Sequence, residues 1–206
     1  MADNLLYKYR GVEPWEYLLD ILINRRLYAS SYQKLNDPME GIFTYSQDKA
    51  SPSFIEQMMD KKSQLRICSL SKAYNSTVMW SYYAAAHQGV VIGVAIDKTA
   101  PNVIDVTDVT YSEDNVFKGF LGSDAETEAR KILAKKLTAW THEQEVRVFS
   151  RADYVPITIR EIYFGCQMVE DKKKLLGNLI RQIDPAIKLI PLERSNLDSR
   201  VPENVI

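Results

Sequence analysis

The sequence is poor in the residues that build metal centres and disulfide frameworks. It has 2 histidines and 2 cysteines in 206 residues, and neither a His-x-x-x-His pair nor a Cys-x-x-Cys pair occurs. Zinc sites use closely spaced nitrogen and sulfur ligands, so the sequence predicts no metal site. The two cysteines, Cys68 and Cys166, are far apart, and we expect them to be reduced thiols inside apolar strands.

Other absences restrict the function further. The chain has no run of 18 apolar residues and no N-terminal charged region followed by an apolar segment, which predicts a cytoplasmic protein without a membrane partner. Lys+Arg 26 and Asp+Glu 27 give a formal net charge of -1, so no excess of positive charge indicates binding to duplex nucleic acid. Neither a Walker motif nor a Gly-x-Gly-x-x-Gly motif is present, which removes the usual phosphate-binding loops.

The residues that are present indicate one mixed domain. A hydrophobic content of 46% is sufficient for one sizeable core, and apolar strands intermix with amphipathic helices without the regular spacing of a doubly wound fold. We expect an α+β fold over residues 1–194, with a central, largely antiparallel or split sheet and flanking helices, and a polar tail over 195–206. The periodicity predicts a helix over 78–87, with Gly89 as its left-handed end, and a helix from a capping box at 123–126 to about Trp140.

The segment from Trp140 to Phe149 carries charged residues beside apolar ones. From Glu143 onward the residues alternate with period two, so a strand would present Glu143, Glu145 and Arg147 on one face. Two carboxylates one strand repeat apart repel each other, and such a pair lies on a surface, beside a cation or at a working site. Two interpretations stay open: a solvated strand face with Arg147 as counter-charge, or a functional site.

Several candidate residues lie where predicted elements end. Tyr9 and Arg10 end the first strand, and Ser69 and Ser71 end a middle strand, where small hydroxyl groups either leave room for a ligand or cap a turn.

The segment 36–40 is a second group of candidates for the pocket. Its polar residues are Asn36, Asp37 and Glu40. Asp37 can also cap a helical turn in which Glu40 reaches back to the backbone, which is a purely structural role.

One face of the predicted helix over 78–87 forms a third group. Trp80, Tyr83 and His87 follow one another there as an aromatic ridge that leads to a histidine. The ridge is either ordinary packing or part of a site. A Ser-His-acid triad with Ser69 or Ser81 lacks the nucleophile-elbow sequence that would support it.

An arginine, a Ser-x-Ser strand and a Glu-x-Glu strand, in that order, resemble the Arg-Ser-Glu class of ADP-ribosyltransferases. The resemblance implies that NAD is a substrate, that Arg10 contacts its pyrophosphate or ribose, and that Ser69 lines the nicotinamide pocket. It also implies that Glu145 stabilises positive charge at the anomeric carbon and that Glu143 orients the acceptor. The acceptor would be a protein or a nucleic acid, in toxin, phage or defence biology. The other expected nucleotide contacts are Tyr9, Ser71, Trp80 and Tyr83.

A broader resemblance covers residues 5–165. Its segments are Tyr7-Lys8-Tyr9-Arg10, Leu27-Tyr28-Ala29-Ser30, Asn36-Asp37-Pro38-Met39-Glu40, Cys68-Ser69, Met79-Trp80-Ser81-Tyr82-Tyr83, His87-Gln88-Gly89-Val90, Trp140, Glu143-Gln144-Glu145-Val146-Arg147 and Ile162-Tyr163-Phe164-Gly165. These are similar to a bacterial and phage domain-of-unknown-function family, numbered twenty-nine seventy-one, whose name implies no reaction. Tyr82 occupies a position that often holds histidine in that family, so no role for a histidine carries over there.

Three hypotheses follow from these patterns. The first is the ADP-ribosyltransferase, the second is a non-catalytic sensor that binds a nucleotide or a partner, and the third is a phosphodiesterase or nuclease that uses His87 and a carboxylate. The first predicts one cleft that contains Arg10, Ser69, Glu145, Asp37, Glu40, Tyr83 and His87.

Overall fold

A mostly antiparallel sheet of eight strands organises the chain in the computed structural model, which describes residues 5–44, 50–114 and 124–198. Helices cover the sheet, and a separate pair of short parallel strands lies beside it. The expected α+β class with a largely antiparallel sheet is therefore confirmed. None of the helices in the described ranges is long and apolar enough to cross a membrane.

The strands and helices have the following bounds. The strands are β1 (Leu6–Arg10), β2 (Arg26–Tyr28), β3 (Arg66–Ser71), β4 (Val90–Ile96), β5 (Val103–Asp108), β6 (Thr110–Ser112), β7 (Lys135–Leu137), β8 (Glu145–Ser150), β9 (Tyr154–Phe164) and β10 (Lys188–Pro191). The α-helices are α1 (Trp15–Asn24), α2 (Pro52–Gln64), α3 (Thr77–Tyr83), α4 (Ala125–Leu133) and α5 (Glu170–Ile183). Short 3₁₀ helices span Tyr32–Lys34, Thr138–Glu143 and Arg194–Asn196.

The order of strands across the large sheet is β10-β9-β4-β1-β3-β8-β5, with β2 paired to β9. Among the strands of this sheet that the structure describes, only β9 and β10 pair in parallel. Tyr7 of β1 lies opposite Ser71 of β3, and Ser71 lies opposite Glu145 of β8. Because residues in register share a face of the sheet, these three side chains form a row across its centre.

The two faces of the sheet carry different helices. On one face, Leu18 and Leu22 of α1 and Ile180 of α5 pack on the largest apolar cluster. The other face carries two smaller clusters, one around α2 and α4 and one around α3. The helices on that second face therefore form two separate groups, α2 with α4 and α3 alone.

The helix predicted to run from 123 to about Trp140 is shorter than expected. Ser123 lies outside the described residues, while the Asp124 side chain accepts hydrogen bonds from the N–H groups of Glu126 and Thr127. The helix ends at Leu133, and the next residues form β7, which pairs with β6. The prediction was wrong because tertiary strand pairing overrides local helical periodicity here.

The helix predicted over 78–87 also ends early, at Tyr83. Ala85, Ala86 and His87 follow with φ of 48°, 50° and 65°, so the left-handed turn precedes Gly89. Gly89 has another role, because a Cβ there would lie 2.3 Å from the Arg10 carbonyl oxygen. Close backbone approach, rather than a left-handed φ, accounts for this glycine.

The first residues of the expected polar tail are packed against the N-terminus of α3. The Asp198 N–H donates to the Asn75 carbonyl oxygen (2.8 Å), and the Thr77 hydroxyl donates to the Asp198 carbonyl oxygen (2.8 Å). The rest of the tail, 199–206, lies outside the described residues.

Candidate functional site

A cleft of about 210 Å³ opens on the sheet face that carries α2, α3 and α4. Its floor is formed by β1, β3 and β8, and its walls by α3 and the segment 34–40. The structure brings eight of the predicted site residues to this cleft. They are Tyr9, Asn36, Glu40, Ser69, Ser71, Tyr83, Glu143 and Glu145.

Arg147 lies beneath the cleft and is completely enclosed. Its Nε and Nη2 donate to the two oxygens of Glu145 at 2.9 and 3.0 Å, which is a bidentate pair. Its Nη2 also contacts Glu40, and its Nη1 donates to the carbonyl oxygen of Leu133. Since Leu133 is the last residue of α4, this contact satisfies a carbonyl that has no partner within the helix.

Lys136 is the second cation of the site and was not predicted. Its Nζ lies 2.5 Å from Glu143 Oε2, 3.3 Å from Glu145 Oε2 and 3.4 Å from Glu40 Oε1. It reaches this position because α4 ends before it and β7 turns it towards the sheet. We call Glu40, Lys136, Glu143, Glu145 and Arg147 the carboxylate network.

Tyr83 connects the carboxylate network to the wall of the cleft. Its hydroxyl donates to Glu143 Oε1 at 2.6 Å and accepts a hydrogen bond from Asn36 Nδ2 at 3.2 Å. Burial and the bond to Glu143 both raise the pKa of Tyr83, so its hydroxyl stays protonated and remains a donor. Another tyrosine, Tyr111, accepts the backbone N–H of Glu145 at 2.8 Å.

The solvated-face interpretation of the Glu-x-Glu-x-Arg row is wrong. Glu143, Glu145 and Arg147 are 5%, 4% and 0% exposed. Glu143 does not belong to the strand, because Gln144 adopts a left-handed conformation (φ 44°) and β8 begins at Glu145. Glu143 nevertheless faces the same network, because the 3₁₀ helix delivers it beside Lys136.

The network holds three carboxylates against two cations, so it carries one formal negative charge when all five groups are ionised. Burial acts to raise the pKa of Glu145, but Arg147 and Lys136 outweigh it and lower that pKa to about 2. Burial dominates at Glu40, where it raises the pKa of the carboxyl. Burial would lower the pKa of Lys136 and Arg147, but the carboxylates outweigh it and raise both values. Glu145 is therefore held as a carboxylate at neutral pH.

Arg10 does not reach the cleft, contrary to the expected convergence with Ser69 and Glu145. Adjacent residues of a strand face opposite sides, and Tyr9 occupies the cleft side. The Arg10 Nε donates to the Gly11 carbonyl oxygen, and its guanidinium lies towards Tyr17 of α1, where burial lowers its pKa.

Three more predicted residues lie away from the cleft lining. Trp80 is fully buried and donates from Nε1 to the Tyr74 carbonyl oxygen, so it belongs to the core around α3. Asp37 accepts the Met39 N–H in a local turn and caps no helix. His87 lines a different cavity, so the nuclease hypothesis lacks its histidine in this cleft.

Sequence reasoning missed three cationic or aromatic residues that line the cleft besides Lys136. They are Tyr7, Lys8 and Lys34. The Lys8 Nζ donates to the Ser69 carbonyl oxygen at 3.0 Å, where β1 and β3 share only one register pair. Tyr7 could have been predicted from the sequence, because residues 7 and 9 of a strand face the same side.

No metal site emerges among the described residues, where no group of three or more His, Cys, Asp or Glu side chains could hold an ion. Comparisons with protein-family models, curated proteins and solved structures give no match for this chain. The two family resemblances therefore stay predictions.

Proposed function

We propose that the cleft binds NAD and that the protein transfers ADP-ribose from it to a protein or nucleic-acid acceptor. The observation that carries the proposal is Glu145, a carboxylate with its pKa lowered to about 2 at the base of a cleft lined by tyrosines and serines. Such a group is ionised at neutral pH and stabilises positive charge in a water-poor site.

The chemistry of NAD cleavage requires this kind of charge. When the bond between the anomeric carbon and nicotinamide breaks, nicotinamide leaves with the bonding electrons and the ribose carbon becomes positive. Glu145 would stabilise that carbon, and Glu143 would accept the proton of the attacking hydroxyl or amine. Ser69, on the neighbouring strand, also lowers the pKa of Glu145.

The lining of the cleft supports a ligand with one flat ring and a negatively charged part. Tyr7, Tyr9 and Tyr83 supply aromatic surface, while Lys34 supplies positive charge of the kind that Arg10 was expected to bring. The volume of about 210 Å³ is below the range of about 300–1,000 Å³ typical of sites that enclose a whole drug-sized ligand. The nicotinamide riboside end would therefore enter, and the adenosine end would lie outside.

A specific observation favours a second candidate, a nucleotide-binding module without catalysis. All six carboxylate oxygens of Glu40, Glu143 and Glu145 already have a cationic or hydroxyl partner inside the protein. A network satisfied in this way stabilises and orders a binding site without taking part in a reaction.

Label transfer from adenine-labelled NAD to proteins or nucleic acids of a cell lysate tests the proposal. We expect transfer by the wild type and by Glu126→Gln, whose glutamate pairs with Arg151 outside the cleft, and none by Glu145→Gln. If the wild type binds NAD but transfers no label, the binding module is the correct candidate and the transferase is excluded. Absence of NAD binding would exclude the transferase and would restrict the binding module to other nucleotides.

A further inference from the structure

A second group of reactive side chains lies apart from the carboxylate network. His87, Cys166 and Arg194 line a separate cavity of about 280 Å³, together with Thr77, Gln167 and Leu197. Cys166 is partly exposed there, whereas the other cysteine, Cys68, is buried.

Backbone contacts fix His87 beside Cys166. The His87 carbonyl oxygen accepts the Gln167 N–H at 3.0 Å, and the Gly89 carbonyl oxygen accepts the Gly165 N–H at 3.0 Å. A Cβ at Gly165 would lie 2.0 Å from the His87 carbonyl oxygen, so only glycine permits this approach. The turn that carries His87 and the segment that carries Cys166 are therefore held together as one unit.

The contacts around His87 are compatible with a proton on its Nε2 atom. The Ser81 hydroxyl has one hydrogen, which it donates to the Thr77 carbonyl oxygen at 3.0 Å. With that hydrogen directed to Thr77, the Ser81 oxygen, 3.0 Å from His87 Nε2, is free to accept a hydrogen bond from an Nε2–H group. Neutral His87 then has no proton on Nδ1, and this nitrogen lies 4.0 Å from the Cys166 sulfur.

A nucleophile, a base within reach of it and a third group that orients the base form the usual arrangement for activating a thiol. Cys166, His87 and Ser81 have this arrangement. Burial lowers the pKa of His87, so the imidazole is neutral at neutral pH.

We propose that Cys166 is a thiol-modification site that forms mixed disulfides with small anionic disulfides. The thiol proton moves to His87 Nδ1, and the thiolate attacks one sulfur of the reagent. The new sulfur–sulfur bond forms as that of the reagent breaks, and the leaving thiolate takes the bonding electrons. His87 then returns the proton to the leaving thiolate or to solvent. The positive charge of Arg194 in the same cavity selects reagents that carry carboxylates.

Two aromatic disulfides test this site on the full chain: dithiobis(nitrobenzoate), which is anionic, and dithiodipyridine, which is neutral. Release of the coloured thiol gives the rate, and intact mass with peptide mapping gives the position. A free thiol is only a few per cent ionised at pH 7, so His87→Asn should slow modification of Cys166 by about tenfold. Asparagine tolerates the left-handed backbone of position 87, and His142→Asn serves as the matched control with an unchanged rate.

The remaining variants separate activation from attraction. Arg194→Gln should slow the anionic reagent about threefold or more at low salt and leave the neutral reagent unaffected. Ser81→Ala leaves the backbone of His87 intact and should also slow both reagents, which covers the case in which His87→Asn does not fold. Cys68 should react only after denaturation. Equal rates for Cys166 in folded wild type, His87→Asn and Ser81→Ala would overturn the proposal, as would a Cys166 that reacts only when unfolded.

Discussion

Replacing Arg147 by methionine tests whether the carboxylate network holds the sheet and the helices together. Methionine fills a similar volume but leaves Glu145 and Glu40 in a buried position without their principal cation. Removing one partner of a buried ion pair costs about 3–5 kcal/mol, because an uncompensated charge remains in a medium of low polarity. For a chain of 206 residues this corresponds to a fall in melting temperature of roughly 6–20 °C.

The assay is urea denaturation followed by circular dichroism, with Arg151→Met as the matched control. Arg151 pairs with Glu126, but its side chain is 60% exposed, so its replacement should cost only about 0–1 kcal/mol. A triple variant, Arg147→Met with Glu40→Gln and Glu145→Gln, should recover part of the loss, because the buried charges disappear together with their cation. Equal losses for Arg147→Met and Arg151→Met would refute this account of the network.

Three further predictions concern stability. Gly165→Ala should destabilise the protein by about 2 kcal/mol or more, since its Cβ would lie 2.0 Å from a backbone carbonyl oxygen. Gly177→Ala inside α5 should instead stabilise the protein by up to about 1 kcal/mol. Thermal melts of the two variants distinguish these outcomes. Tyr83→Phe should cost about 1–3 kcal/mol in urea, because Glu143 loses a hydroxyl donor, and an unchanged midpoint would contradict this. The lowered pKa of Glu145 means that its stabilisation is complete above about pH 4.5 and is lost as the pH falls towards 2. Glu145→Gln should therefore flatten the acid limb of the unfolding free energy, and an acid limb as steep as that of the wild type would count against the pair with Arg147.

Much of the fold follows from local patterns, and the exceptions have a common cause. The apolar run Val90–Ile96 is typical of a central strand, which is apolar on both faces, and the structure has a strand there. The early end of α4 is different, because it depends on the pairing of β7 with β6, about 25 residues earlier in the chain. Local periodicity contains no information on that pairing.

Alternation along a strand predicted part of the site. Alternation placed Glu145 and Arg147 on one face correctly, and it also implied that Arg10 and its neighbour Tyr9 face opposite sides. Arg10 was nevertheless predicted to lie in the cleft, because an arginine followed by a serine and a glutamate resembles the Arg-Ser-Glu class. In the structure, Arg10 lies on the side of α1. Lys136 could not be found in this way, because its position depends on where α4 ends.

Release of nicotinamide from NAD by the purified protein tests the central claim most directly. The wild type and Glu126→Gln should release nicotinamide, while Glu145→Gln should bind NAD, as followed by calorimetry, and release none above the uncatalysed rate. Equal release by the wild type and a folded Glu145→Gln variant would contradict the assignment of Glu145. A wild type that binds NAD and never releases nicotinamide, with or without an acceptor, would contradict catalysis at this cleft.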